Sequence, residues 1–340
     1  MVSRNRLLAA GAAATGPALA TLGYLTVTRR PAAPPDSEFL VAAPPVPTPA
    51  PPGTLRAVFA GVSTVALTDG ATTLIVDGFF SRPPAAKVLL GRIAPDQAAI
   101  ADGLRRMGVT TAAAVIVTHS HYDHALDAPE VARRTGAALV GSASTLMLGR
   151  GAGLPAGQLH QVEPGTAVTY GAFEVRCIAT EHSPKPAWPG PITVPVRPPS
   201  RAAAYRMGEC FIVHVTHMAA DGRRRRLLVQ ASAGYRVGSL LDHPAEVAFL
   251  GIPTLGRQSP EYRAAYWRET VTLPGVRRVL PVHWDDFTDG RSADAELRPL
   301  PSLFDDLAVT REFLASRRAA DGVEFAFPRR WQPFDPFAGL

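Results

Sequence analysis

Apolar and polar positions alternate in a different way on either side of about Thr54. Beyond it, "TLRAVFAGVSTVALTDGATTLIVDGFF" repeats with period two and turns at "TDG", which predicts antiparallel strands ending at Asp77. In "PDQAAIADGLRRMGV", Ile100, Leu104 and Met107 share one helical face, and Gly108 supplies the stop. "TAAAVIV" is a short continuous apolar run, the mark of a strand buried on both faces. A helix over "APEVARRTG", a strand over "AALVG" and a short helix over "SASTLMLGRG" follow. The segments "GAFEVRCIAT", "ECFIVHVTH", "RLLVQAS", "VAFLGI" and "VRRVLPV" predict a second batch of strands. An amphipathic helix in "LFDDLAVTREFLASRRA" and the strand "VEFAF" close the chain. Two batches of strands with helices among them predict an α+β fold of two mixed sheets packed face to face, helices outside.

Upstream of Thr54 the pattern is of another kind. Arg4 and Arg6 precede an uncharged run from Leu7 to Thr28, which Arg29 and Arg30 close. Residues 1–30 fit a signal peptide cleaved after Ala18–Ala20, or an uncleaved anchor, since about 20 apolar residues span a bilayer. A cytoplasmic tail is the plain alternative; the expectation is an exported or membrane-anchored protein, associated through residues 7–28. Residues 31–53 are rich in proline and read as a semi-rigid linker, which leaves 54–340 as one domain.

The formal charge of +6 is carried by arginine, with Lys87 and Lys185 the only lysines. No face alternates arginine with aromatics, so no nucleic-acid partner is expected. The densest basic run, Arg223–Arg226, follows Asp221-Gly222 and reads as a hairpin tip. Cys177 and Cys210 each sit in a strand, without the spacing of a thiolate metal site or redox pair.

The chemistry concentrates in "THSHYDH", between the buried strand and the next helix. In an extended chain His119 and His121 project to the same side and can share one ion. Asp123 and His124 follow as the chain turns, within reach of a second point. Imidazole and carboxylate donors suit Zn(II), with manganese or iron as alternatives.

The run "THSHYDH" resembles the HxHxDH signature of the metallo-β-lactamase superfamily. The resemblance implies a four-layered αβ/βα sandwich, and further landmarks from Thr54 to Phe327. Asp77 in "LIVDGFF" would organise the metal loop. His182 in "IATEHSP" and His283 in "VLPVHWDDF" would complete two sites: His119, His121 and His182; and Asp123, His124 and His283. His160, His214, His217 and His243 read as surface or packing residues. The family's bridging aspartate is missing from "LLVQASAGY", where Ser232 or Ala233 stands. A hydroxyl is a weaker, uncharged donor, so the expectation is one tight Zn(II) and a weak second ion, with Asp285 and Asp286 as candidates to compensate. "TDGFFSRP" and "PVHWDDF" look most like the branch containing ascorbate-6-phosphate lactonase. The proline-stiffened loop from Pro184 to Tyr205 reads as a lid or pocket wall. The resulting expectation is a hydrolase of an ester, lactone or phosphodiester in a small-molecule substrate, with Asp123 handling the proton. The alternative is a non-hydrolytic redox or binding protein, or an inactive metal-binding member of the same fold.

Overall fold

A computed structural model describes residues 29–40, 53–291 and 293–340. The apolar run 7–28 therefore lies outside the described residues. Among the described residues no helix is long and apolar enough to cross a membrane.

The strands, in chain order, are Arg56–Gly61 (β1), Thr64–Thr68 (β2), Thr73–Val76 (β3), Ala114–Ile116 (β4), Ala138–Gly141 (β5), Leu159–Gln161 (β6) and Ala167–Tyr170 (β7). Phe173–Thr180 (β8), Cys210–Met218 (β9), Arg224–Gln230 (β10), Val247–Gly251 (β11), Arg278–Val282 (β12), Glu324–Phe325 (β13) and Pro333–Phe334 (β14) follow. The helices are Ala85–Leu90 (α1), Gln97–Arg106 (α2), Tyr122–Ala125 (α3), Ala128–Thr135 (α4), Ala143–Gly151 (α5), Pro260–Trp267 (α6) and Leu307–Asp321 (α7). One sheet has the order β14-β1-β2-β3-β4-β5-β6, the other β13-β12-β11-β10-β9-β8-β7.

Period-two alternation explains why these strands make layers. Phe59, Val65, Leu67, Leu74, Val76 and Ile116 point inward to meet Val175, Val213, Val229, Phe249 and Val282 of the other sheet in one core. Their neighbours Val58, Ile75, Val115 and Val117 point outward and bury Ile100, Leu104, Val131 and Leu148 of α2, α4 and α5. On the far side Ile212, Leu228, Leu250 and Val279 bury Tyr266, Trp267, Leu307 and Leu314 of α6 and α7. The result is the expected helix–sheet–sheet–helix sandwich.

Strands β3, β4 and β5 are parallel neighbours, as are β10, β11 and β12. β8 runs the same way as β10, because both are antiparallel to β9. The loops after β3 and β4 open at one end of their sheet and those after β8, β10 and β12 at one end of theirs. Contacts of His119 with His182 and of His124 with His283 bring the two ends together, and every residue expected at the site lies on one of these loops.

Part of the expected linker is packed. Phe39 bridges Phe327, Glu38 holds Arg311 of α7 through two hydrogen bonds of 2.6 Å, and Arg30 donates to Asp286 and to the Pro299 carbonyl. The predicted features of the basic run and the cysteines also have structural counterparts. Gly222, at φ +77°, turns the β9–β10 hairpin, and both cysteines are free and buried, which pushes their thiols up to about 12.

Candidate metal centre

The site begins with strained backbone. Val62, Asp77, Arg82 and His283 all have positive φ, at 53°, 60°, 40° and 57°. A β-branched residue in this region is a true outlier, held only because its surroundings leave no alternative. Here the surroundings interlock. The Val62 amide donates to Asp285 Oδ1 (2.9 Å), and the Val62 carbonyl accepts from the His283 amide (2.6 Å). The tip of the β1–β2 hairpin thus fixes the turn that aims His283.

Asp77 occupies the centre of the second network. Its Oδ1 accepts from the Thr118 amide (2.8 Å) and hydroxyl (2.9 Å), and its Oδ2 from Ser63 Oγ and from His124 Nδ1 (2.8 Å). With its Nδ1 proton committed to Asp77, His124 presents the Nε2 lone pair. That nitrogen lies 3.4 Å from Asp123 Oδ2 and 3.2 Å from His283 Nε2, which is itself 3.2 Å from Asp123 Oδ2. Three donor atoms at these separations form one face of a tetrahedron with bonds of about 2.0–2.1 Å, the zinc–nitrogen length. Burial opposes charge on His124, yet Asp123 and Asp77 together lift it to about 10. The two carboxylates thus favour positive charge at this point, which either a second ring proton or a cation on the Nε2 lone pair would supply. Burial likewise disfavours the Asp123 carboxylate, but His124 and His283 hold it well below the usual carboxylate range.

The other cluster has the opposite character. The rings of His119, His121 and His182 form a near-equilateral triangle with centroids 4.9, 4.9 and 5.0 Å apart. His121 Nε2 meets the Ala187 carbonyl at 2.6 Å, and His182 Nδ1 lies 3.0 Å from both the carbonyl and the hydroxyl of Ser183. His121 therefore has Nδ1 and His182 has Nε2 to offer an ion, while buried His119 Nε2 has no hydrogen-bond partner among the described residues. Burial holds all three rings below the usual imidazole range, with His182 at about 3. Three neutral imidazoles with converging lone pairs are costly to bury unless a cation shares them. Both groups, His119–His121–His182 and Asp123–His124–His283, have their donor atoms close enough to hold an ion.

Three residues play parts other than those expected. Ser232 Oγ accepts from the Ser183 amide (2.9 Å) and donates to Ser183 Oγ (3.2 Å), so it acts on His182 through Ser183. The Asp285 carboxylate is taken up by Val62 and by Arg82, and that of Asp286 by Arg30 and Thr288 (2.7 Å to its hydroxyl). Both therefore shape the His283 loop and do not reach toward an ion. His160 is exposed, while His214 and His217 are buried packing residues. The sequence reading missed Ser63, Arg82 and Ser183. The polar pair Ser63–Thr64 inside an apolar run was the available signal for the first; nothing local distinguishes the other two.

The lid is structured. Ile192, Val196, Ala202 and Tyr205 join the outer core, and the Ile192 amide donates to Ser144 Oγ (2.9 Å). The Trp188 ring packs near Tyr122 (6.2 Å) and His121 (6.5 Å), and Phe287 packs edge-on against Tyr122 (6.0 Å).

Residues 57–206 match the family model described as the metallo-beta-lactamase superfamily, a span that holds every ligand above except His283. The match spans less than half of the chain, and over it the chain is similar to that superfamily. A relative from Methylobacterium nodulans, named UPF0173 metal-dependent hydrolase, is 28% identical over 161 residues, covering 47% of this chain and 62% of its own. The chain thus spans less than two thirds of that relative. Among solved structures, a metallo hydrolase from Ignicoccus hospitalis has a TM-score of 0.47 at 16% identity, over 81% of this chain and 94% of that one. A diiron beta-hydroxylase from Streptomyces venezuelae has 0.46 at 14% identity, over 84% and 54%.

Proposed function

We propose that the protein is a metal-dependent hydrolase of an ester, lactone or phosphodiester bond in a small-molecule substrate, with zinc at the three-histidine site. The observation that carries this reading is the convergence of donor atoms in two adjacent buried sets, His119–His121–His182 and Asp123–His124–His283. A bound divalent cation there lowers the pKa of water and polarises the bond to be cleaved. The chain's own groups do the rest. Asp123 stays ionised between His124 and His283 and is placed to take a proton from water and return it to the leaving oxygen. Trp188, Tyr122 and Phe287 wall the approach with apolar surface that orients substrate and excludes bulk water.

The test combines metal analysis of dialysed protein with turnover of ester, lactone and phosphodiester panels. About one tightly held zinc per chain is expected, with turnover in one panel. His119→Ala should lose both, and His160→Ala neither. Bound iron with oxidant turnover, or equal metal content in the two variants, would overturn the proposal.

A further inference from the structure

We propose that the ligand-bearing end of the molecule is a docking surface for an anionic lipid bilayer. Two exposed apolar pairs flank the loop that follows β12. Leu89 and Leu90, on α1, are 75% and 86% exposed, and Leu303 and Phe304 are 51% and 57% exposed. Among the described residues, the other exposed large apolar side chains, Val168, Val194, Met218, Val237 and Leu241, are not sequence neighbours of one another, and scattered exposure of that kind is normal for a protein surface. Paired exposure at one end is not.

Contacts place both pairs on the rim of the site. α1 follows the Asp77 loop; Gly290 of the His283 loop lies against the Arg82 carbonyl and Pro84, and just past α1 Ile93 bridges Ser200 of the lid. On the other side, the Leu300 amide donates to the Trp284 carbonyl (3.1 Å), and Arg30 ties Pro299 to Asp286. Leu303 and Phe304 follow directly. Arg29, Lys87, Arg92 and Arg257 are exposed beside these pairs, while the nearby Asp289 is paired with Arg291. Asp305, directly after Phe304, is buried, and Asp306 caps α7, so the rim offers apolar side chains with exposed cations beside them, the combination that binds an anionic interface.

The chain itself indicates which occupant this is. The Ser302 amide donates to the Arg29 carbonyl (2.7 Å), so the uncharged run Leu7–Thr28 joins the domain directly beside Leu303. A segment with the composition of a bilayer-seeking run and the rim with exposed apolar pairs meet at one place. This inference does not depend on hydrolysis.

The test is hydrogen exchange on the full chain with phosphatidylcholine–phosphatidylglycerol vesicles. Amides of residues 87–92 and 302–305 should slow about threefold or more on vesicle addition, while the Arg223–Arg226 hairpin at the opposite end should not change. The full-chain variant Leu89→Ser/Leu90→Ser/Leu303→Ser/Phe304→Ser should lose this protection, even where the N-terminal run still carries it to vesicles. Failure of the wild type to bind vesicles would overturn the proposal. So would bound protein whose rim amides are unprotected, protection centred on the hairpin, or protection that rises with protein concentration in the absence of lipid and so reports a second copy.

Discussion

At the scale of single residues, Ser232 is the most informative departure. Where the family that this chain resembles carries a bridging carboxylate, a hydroxyl holds the Ser183 amide, and Ser183 in turn holds His182. Ser232→Ala should leave a buried amide unsatisfied, costing roughly 1–3 kcal/mol in chemical denaturation. It should also weaken metal retention by about tenfold or more, because groups that orient ligands contribute to affinity. A hydroxyl that touched only the ion would alter metal content with no loss of stability, and that result would refute the positioning role. Acid should act on the same cluster. His182 is held at about 3 against an ordinary 6.5, so the folded protein binds fewer protons than the unfolded chain between those values. Its contribution is unpenalised above pH 6.5 and becomes increasingly unfavourable as pH falls toward 3. Metal-free protein should accordingly lose stability over that window, whereas the three-histidine site should retain its ion well below the pH at which free imidazole protonates. Loss of the ion at pH 6.5 itself would contradict the depressed value.

At the scale of elements, the lid depends on close approach to α5. A Cβ added at Gly151 would collide with the backbone of Val196, which cannot give way as a flexible side chain can. Gly151→Ala should push the lid off its seat and loosen Trp188 and the Ala187 carbonyl that meets His121. The expected cost is about 1–3 kcal/mol, with faster hydrogen exchange across residues 187–205 and little change in β4 or β12. Unaltered lid exchange would mean that α5 does not support it. The short α3 makes a related point. His121 is its N-cap, so the turn of the chain into that helix carries Asp123 and His124 away from the first cluster and into the second.

At the scale of the whole molecule, residues 29–40 are a strap between the N-terminal segment and the far end of the chain. Glu38 holds Arg311, Arg30 holds Asp286, and Phe39 packs on Phe327 (6.0 Å). Removing residues 1–40 should therefore lower the thermal midpoint relative to removing 1–28, at about 2–4 °C for each kcal/mol lost. It should also weaken the second ion's retention, since Asp286 lies three residues beyond His283. Equal midpoints for the two truncations would show that the strap contributes nothing.

Much of this was legible in the chain. Period-two runs place alternate side chains on opposite faces, and amphipathic helices need a face to cover, so the strands, the outer helices and the four layers follow from local pattern. The spacing in "THSHYDH" likewise puts His119 and His121 on one ion, because two residues in extended chain point the same way. Other features required the folded molecule. Ser63, Arg82 and Ser183 act across 14, 203 and 49 positions of sequence, distances over which no local period carries information. Nor could composition tell that Asp285 and Asp286 turn to Val62, Arg82 and Arg30, or that a proline-rich strap would pack on α7. Local sequence determined which residue types were available and which way each strand presents them. Only the closing of the two sheets decided which lone pairs converge, since that depends on loops far apart in sequence being brought to one end.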